Sequence, residues 1–158
     1  MILAFLQNMW VRDPERVRRA IERDGESFRV YFMRFALFRG CKTGRMLKKA
    51  FGEELIEKIE FEETTRQIAG NPREIFPADL EHIRKALELH KPTIVLAFGE
   101  IAHKAVQPLW QGKYIHAHHP ASRAAGSWEN LLSAAKQLRE MEAETNQKNN
   151  VQEIRGIW

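Results

Sequence analysis

The sequence predicts an α/β protein: a three-layer α/β/α domain built on a four-stranded, mainly parallel sheet. Three observations carry this reading. Short apolar runs of strand length alternate along the chain with segments of helical periodicity, the pattern of a parallel sheet with helices on both faces. The runs at 1–6 and 93–98 are almost continuously apolar, as strands covered on both faces must be. The length, 158 residues, suits one domain, and 44% hydrophobic with 29% charged residues supplies both a core and a solvated surface.

Met1 to Leu6 reads as the first strand, with Gln7-Asn8-Met9-Trp10 at its carboxyl end. Asp13 caps the next helix, Pro14 suits its first turn and Gly25 its exit, and Val17, Ala20 and Ile21 share one face. The aromatic-rich run Phe28 to Phe38 stays open: Phe28, Val30 and Phe32 alternate like a strand, and the run also reads as an irregular aromatic wall. Gly40 to Gly44 is a loop, with Thr43 as the expected cap of a helix carrying Met46, Leu47 and Ala50. Ile56 to Phe61 reads as the second strand, with Glu62 to Thr65 past its end. A loop through Gly70-Asn71-Pro72 and Pro77 leads to a helix marked by Leu80, Ile83, Leu87 and His90. Thr93 to Phe98 is the third strand, closed by Gly99, and the helix from Glu100 to Leu109 is broken near Pro108. Lys113 to His116 is the fourth strand. Trp128 to Met141 is an amphipathic last helix with Leu131, Leu132, Ala135 and Leu138 inward. The domain therefore spans 1–141. Residues 142–158 are expected to be a polar, mobile tail, in which Ile154, Ile157 and Trp158 are the groups able to dock.

Several functions are excluded. Cys41 is the single cysteine, so neither an internal disulfide nor a four-cysteine zinc or iron–sulfur site is possible. His116 and His118 share a strand face but lack a third ligand at suitable spacing, so no metal and no organic cofactor are expected. The spacing G-x-x-x-x-G-K-S/T is missing, and so is a dinucleotide-binding glycine fingerprint. The apolar start is short and has no basic region before it, and no run approaches a membrane span. A monomer in a reducing cytoplasm, away from the membrane, is the expectation. The formal charge is +4 and the isoelectric point about 9.4. Arg12, Arg16, Arg18, Arg19 and Arg23 cluster early, followed by Arg34, Arg39, Lys42, Arg45, Lys48 and Lys49, whereas Glu53 to Glu63 is acidic. A basic side of this kind is what a phosphate-backbone binder needs, which makes nucleic acid the expected partner.

The richest stretch is Ile115 to Arg123, I-H-A-H-H-P-A-S-R, where a strand hands over to a helix. In open α/β sheets ligands bind just past the carboxyl ends of the strands. With L-Q-N-M-W after the first strand and H-P-A-S-R after the last, the chain resembles the uracil-DNA glycosylase superfamily. The family motifs at those places are G-Q-D-P-Y or G-x-N-P-G, and H-P-S-P followed by Arg or Leu. F-R-G-C-K-T-G-R-M-L and the stretch from Gly70 through Ala105 are similar to further family segments, so the likeness covers roughly residues 1 to 140.

The resemblance implies hydrolysis of the bond between a base and deoxyribose, on a base flipped out of DNA or met in a single strand. His119 would donate to the base oxygen as charge develops there, and Asn8 would orient the attacking water. Gln7 would contact the base edge, Trp10 would wall the pocket and Phe38 would stack on the base. Ser122 and Arg123, with Lys42 from the basic cluster, would hold phosphates. The chain also departs from the pattern: Leu6 replaces glycine, Met9 replaces proline, and Ala121-Ser122 replaces the Ser-Pro step. An ungapped count puts Glu62 where the family has its base-reading amide. An ionised carboxylate only accepts hydrogen bonds, so Glu62 or Glu63 argues against ordinary uracil and would suit an edge of adjacent donors, such as guanine-like N1–H and N2–H, unless it is protonated or Thr64 takes over. The rival reading is a non-catalytic module on the same fold that binds DNA or a nucleotide.

Overall fold

The computed structural model describes residues 1–157. Four strands, β1 (Ile2–Leu6), β2 (Ile59–Glu63), β3 (Ile94–Phe98) and β4 (Lys113–Ala117), form one sheet in the order β2-β1-β3-β4. Every neighbouring pair is parallel, with Leu6 beside Glu63, Ala4 beside both Phe61 and Leu96, and Phe98 beside Ala117. The helices are α1 (Pro14–Asp24), α2 (Glu26–Phe38), α3 (Lys42–Phe51), α4 (Glu53–Glu57), α5 (Leu80–His90), α6 (Glu100–Val106) and α7 (Ser127–Ile157).

Strand side chains alternate between faces, which divides the core in two. Ile2, Ala4, Leu6, Phe61, Leu96, Phe98 and Ile115 meet Met33 and Leu37 of α2, Leu47 of α3 and Leu131 and Leu138 of α7. Leu3, Phe5, Val95 and Ala97 meet Ile83 and Leu87 of α5 and Ala102 and Val106 of α6. This is the expected three-layer α/β/α arrangement. It explains the continuous apolar runs, since β1 and β3 are central and buried along their whole length.

Some local expectations are corrected. Phe28 to Phe38 lies in a helix, not a strand: α2 buries Arg29, Met33 and Leu37, four residues apart, and has no internal glycine or proline. Thr43 does not cap α3; Cys41 takes that position without a side-chain bond, and Thr43 falls in the first turn. The second strand starts at Ile59 and includes Glu62 and Glu63, while 53–57 is helical. Leu132 points outward, 41% exposed. Residues 142–157 continue α7, with Glu142 on Lys58 (2.7 Å) and Thr145 on Lys113 (3.2 Å), and Trp158 lies outside the described residues. From Asn146 to Ile157 every residue is exposed. Asp13 and Pro14 start α1 as expected, Asp13 accepting from the Arg16 N–H at 3.2 Å.

Two helices meet unusually closely at Gly44 of α3. A Cβ there would lie 1.8 Å from the Leu37 carbonyl oxygen. Only glycine allows α3 to cross the end of α2 at this distance, and that crossing shapes one wall of the cavity described next.

Candidate functional site

A cavity of about 570 Å³ opens past the carboxyl ends of the strands. Its volume is in the range of small-molecule sites. It sits where the strand order reverses: β1 is followed by β2 on one side and, later, by β3 on the other. Gln7, Asn8 and Trp10 line it from the end of β1, Glu63 from β2, and His119 and Ala121 from the loop after β4. Met33, Ala36 and Leu37 of α2 form an apolar wall, and Glu74 and Ile75 come from the loop before α5.

Each polar side chain has a defined local setting. His119 is largely buried, and this pushes its pKa below the ordinary 6.5. Its Nδ1 accepts from the Ala121 N–H at 3.1 Å. The neutral ring therefore carries its proton on Nε2, as a donor. Gly99, at φ +88°, lies 3.4 Å from the His119 Cβ, measured from where its own Cβ would be, and its N–H donates to the Ala117 carbonyl at 2.8 Å. A side chain there would press on the histidine loop from a backbone conformation that disfavours it.

Asn8 braces the loop that closes the cavity. Its Oδ1 accepts from the Phe76 N–H at 3.2 Å, and its Nδ2 donates to the carbonyls of Glu74 at 3.2 Å and Met9 at 3.4 Å. Both amide hydrogens are engaged, and one lone pair of Oδ1 remains for a water. The same loop is clamped to the β1 end by Val11 N–H on the Ala69 carbonyl and Ala69 N–H on the Met9 carbonyl, both 2.9 Å. Trp10, 44% exposed, is the aromatic of the rim. Gln7 lines the cavity, and its carbonyl accepts from the Thr64 hydroxyl at 2.7 Å.

Glu62 does not line the cavity. It is buried and holds Arg29 through two bonds, 3.0 and 2.8 Å, with His82 at 3.2 Å and the Glu63 N–H at 2.9 Å. Burial opposes its charge, but hydrogen bonds from His82 and Arg29 prevail and lower its pKa to about 2. Because β2 is an edge strand, Arg29 from one helical layer and His82 from the other both reach it. The neighbour, Glu63, points to the opposite face and into the cavity. Burial, then the Glu62 charge, push its pKa up to about 8, and its Oε2 has no hydrogen-bond partner. A count along the sequence cannot tell the two apart; the strand register does.

Phe38 does not line the cavity either. It packs edge-on against Phe61 at 5.4 Å, with Arg34 and Lys48 over its ring at 5.5 and 5.6 Å. Tyr31, Arg34, Phe35 and Phe38 recur at the i, i+3, i+4, i+7 spacing of one helix stripe, which faces away from the cavity and forms a separate groove. Met33 and Leu37 take the cavity side.

Ser122 and Arg123 lie in a smaller hollow of about 180 Å³ with Met46 and Trp128. The Ser122 Oγ accepts from Ser127 at 3.0 Å and from the Ala124 N–H at 3.2 Å, so its own hydroxyl proton is free to donate outward. Lys42 reaches the Ala121 carbonyl at 3.5 Å, beside the cavity mouth. His116 stacks on His103 at 3.8 Å and His118 turns to Ser127 at 3.0 Å, so the two do not converge. Among the described residues no cluster of three or more histidines, cysteines or carboxylates is placed to hold a metal ion. Nor is any described helix long and apolar enough to cross a membrane. No family model, no curated protein and no solved structure matches this chain.

Proposed function

We propose that this protein is a DNA glycosylase of the uracil-DNA glycosylase type, hydrolysing the N-glycosidic bond of a non-standard base in base-excision repair. The observation that carries the reading is that Asn8, after the first strand, and His119, after the last, line one base-sized cavity with Trp10 at its rim. A base flipped into it has an apolar wall from Met33 and Leu37 on one side. Trp10, not Phe38, supplies the aromatic surface; stacking of this kind is worth about 1–3 kcal/mol.

In the reaction the bond from the sugar carbon to the base nitrogen breaks, and its electron pair leaves with the base. Water oxygen bonds to the same carbon and its proton ends on the base or in solvent. The His119 Nε2–H donates to the base oxygen that gains charge, the kind of term whose removal costs roughly 10²–10³ in rate. An amide cannot take the water's proton. Asn8 orients the water with its remaining lone pair, and Glu74, lining the same cavity on the loop that Asn8 holds, is the carboxylate able to accept the proton. Arg12 in the cavity wall and Lys42 beside its mouth are placed for flanking phosphates.

The commitment of Asn8 to the 74–76 loop favours one rival, a non-catalytic module that binds DNA or a nucleotide in the same cavity. One experiment separates them. Single- and double-stranded oligonucleotides carrying uracil, hypoxanthine, xanthine or alkylated purines are incubated with the protein and assayed for free base. Base release that drops at least a hundredfold in His119→Ala, with DNA affinity retained, is the expected result. Binding without release on the whole panel leaves the module.

A further inference from the structure

Glu63 is a carboxyl group held where a charge is costly. It is 6% exposed, and its Oε2 is buried with no hydrogen-bond partner. Its neighbour across the strand pair is Leu6, and Met33 and Leu37 line the same cavity. Arg29, the cation that favours its charge, is already bound on both sides, to Glu62 and Glu26. A buried polar atom without a partner is a standing cost, and the residue that carries it also lines a cavity large enough for a ligand.

We propose that Glu63, as an uncharged carboxylic acid, is the specificity-determining group of this cavity, pairing with an uncharged heterocycle that presents an N–H beside a carbonyl. The proposal rests on the glycosylase reading for the identity of the heterocycle as a base, but not for the pairing itself. A neutral carboxyl group has one O–H donor and one carbonyl acceptor on adjacent atoms. It therefore matches a lactam edge in the way a carboxamide does. It does not match an edge of two donors, which a carboxylate would favour. This reverses the specificity that an ionised glutamate at this end of the strand would imply.

The charged and titratable groups around Glu63 decide its protonation. Glu62 on the same strand opposes ionisation of Glu63, and Arg29 of α2 favours it, but less than burial disfavours it, so its pKa is raised to about 8. Arg12, Cys41, Glu74 and His119 also line the cavity, and burial holds the His119 pKa below its ordinary value. Near pH 7 the acid form dominates. As pH rises through about 8 the donor is lost, and the anion repels the ligand's carbonyl.

The test uses the whole protein and free uracil as the lactam probe, with 1,3-dimethyluracil, in which both N–H groups are blocked. Binding is followed by NMR titration from one unit below to one unit above the Glu63 pKa of about 8. If only the acid form binds, affinity for uracil falls about tenfold across the whole of that range. Glu63→Gln keeps a donor beside an acceptor but cannot ionise, so it binds uracil with no such fall. Glu63→Ala, checked for folding by its thermal midpoint, binds at least tenfold more weakly. Equal binding of 1,3-dimethyluracil, a fall with pH that survives in Glu63→Gln, or no uracil binding at all overturns the proposal. Uracil binding that follows this pattern in a protein that releases no base from DNA keeps the Glu63 assignment and removes the glycosylase reading. Base release with pH-independent uracil binding does the opposite.

Discussion

Glu62 and Glu63 are adjacent in the chain and opposite in state, and their opposition makes the protein's stability depend on pH at both ends. Glu62 has its pKa lowered from 4.5 to about 2, so the stability it contributes is present above 4.5 and is lost as pH falls towards 2. Glu63 has its pKa raised from 4.5 to about 8, so its contribution is full below 4.5 and is lost as pH rises towards 8. The thermal midpoint should therefore decline between about pH 5 and pH 8, and calorimetry of Glu63→Gln should show that decline removed. A decline of the same size in the variant would mean that other groups cause it. Arg29→Met is the complementary change. It leaves Glu62 buried with only His82 and the Glu63 N–H, and removing one partner of a buried pair costs about 3–5 kcal/mol. Urea unfolding measures it, and a loss below about 1 kcal/mol would show that Glu62 simply takes up a proton. The sequence reveals that carboxylates stand at this strand end. It does not reveal which of them faces the cavity, because a shift of one residue in the pairing inverts every side chain of the strand.

At the scale of elements, the legible parts are those whose surroundings are uniform. The strands β1 and β3 are buried on both faces, so any alignment of their apolar residues gives the same answer. The ends of β1 and β4 are equally plain, since the apolar run stops and Asn8 and His119 follow directly. The helix α2 is the opposite case. It is apolar nearly all round, so its sequence fits a strand or a helix, and only its rotation against the sheet assigns Met33 to the cavity and Phe38 to the far side. The brace from Asn8 to 74–76 joins segments distant in sequence, and no local pattern announces it. The end of α7 was hidden for a different reason: polarity suggested a loose tail, yet helix formers such as Glu, Gln and Lys need no buried face to continue a helix already started. That continuation carries little stability. Ending the chain after Asn146 removes only exposed residues among those described, and should move the urea midpoint by no more than the equivalent of about 0.5 kcal/mol. A larger loss would mean that the end of α7 is covered in solution.

At the scale of the whole molecule, charge is divided by layer as well as by sequence. Arg12, Arg16, Arg19, Lys42 and Lys49 are exposed and have no carboxylate partner among the described residues. Other cations of the same third serve the fold: Arg34 caps the carbonyls of Ile56 and Ile59, and Arg45 bonds the Gly40 carbonyl. The sequence could not make this division, because an arginine that holds a carbonyl and one that awaits a phosphate look alike in composition. The division nevertheless sets a measurable quantity. Each cation that neutralises a phosphate releases counterions, and the slope of log affinity against log salt falls by about 0.9 per contact on duplex DNA and about 0.7 on a single strand. Arg12 lines the cavity and Lys42 lies at its mouth, so the double variant Arg12→Ala, Lys42→Ala should flatten that slope by roughly 1.4–1.8. Replacing Arg84 and Lys85 of α5, on the other helical layer, should leave the slope unchanged. The comparison separates a path of nucleic acid across the cavity from diffuse attraction to a basic protein, since diffuse attraction would respond alike to both pairs.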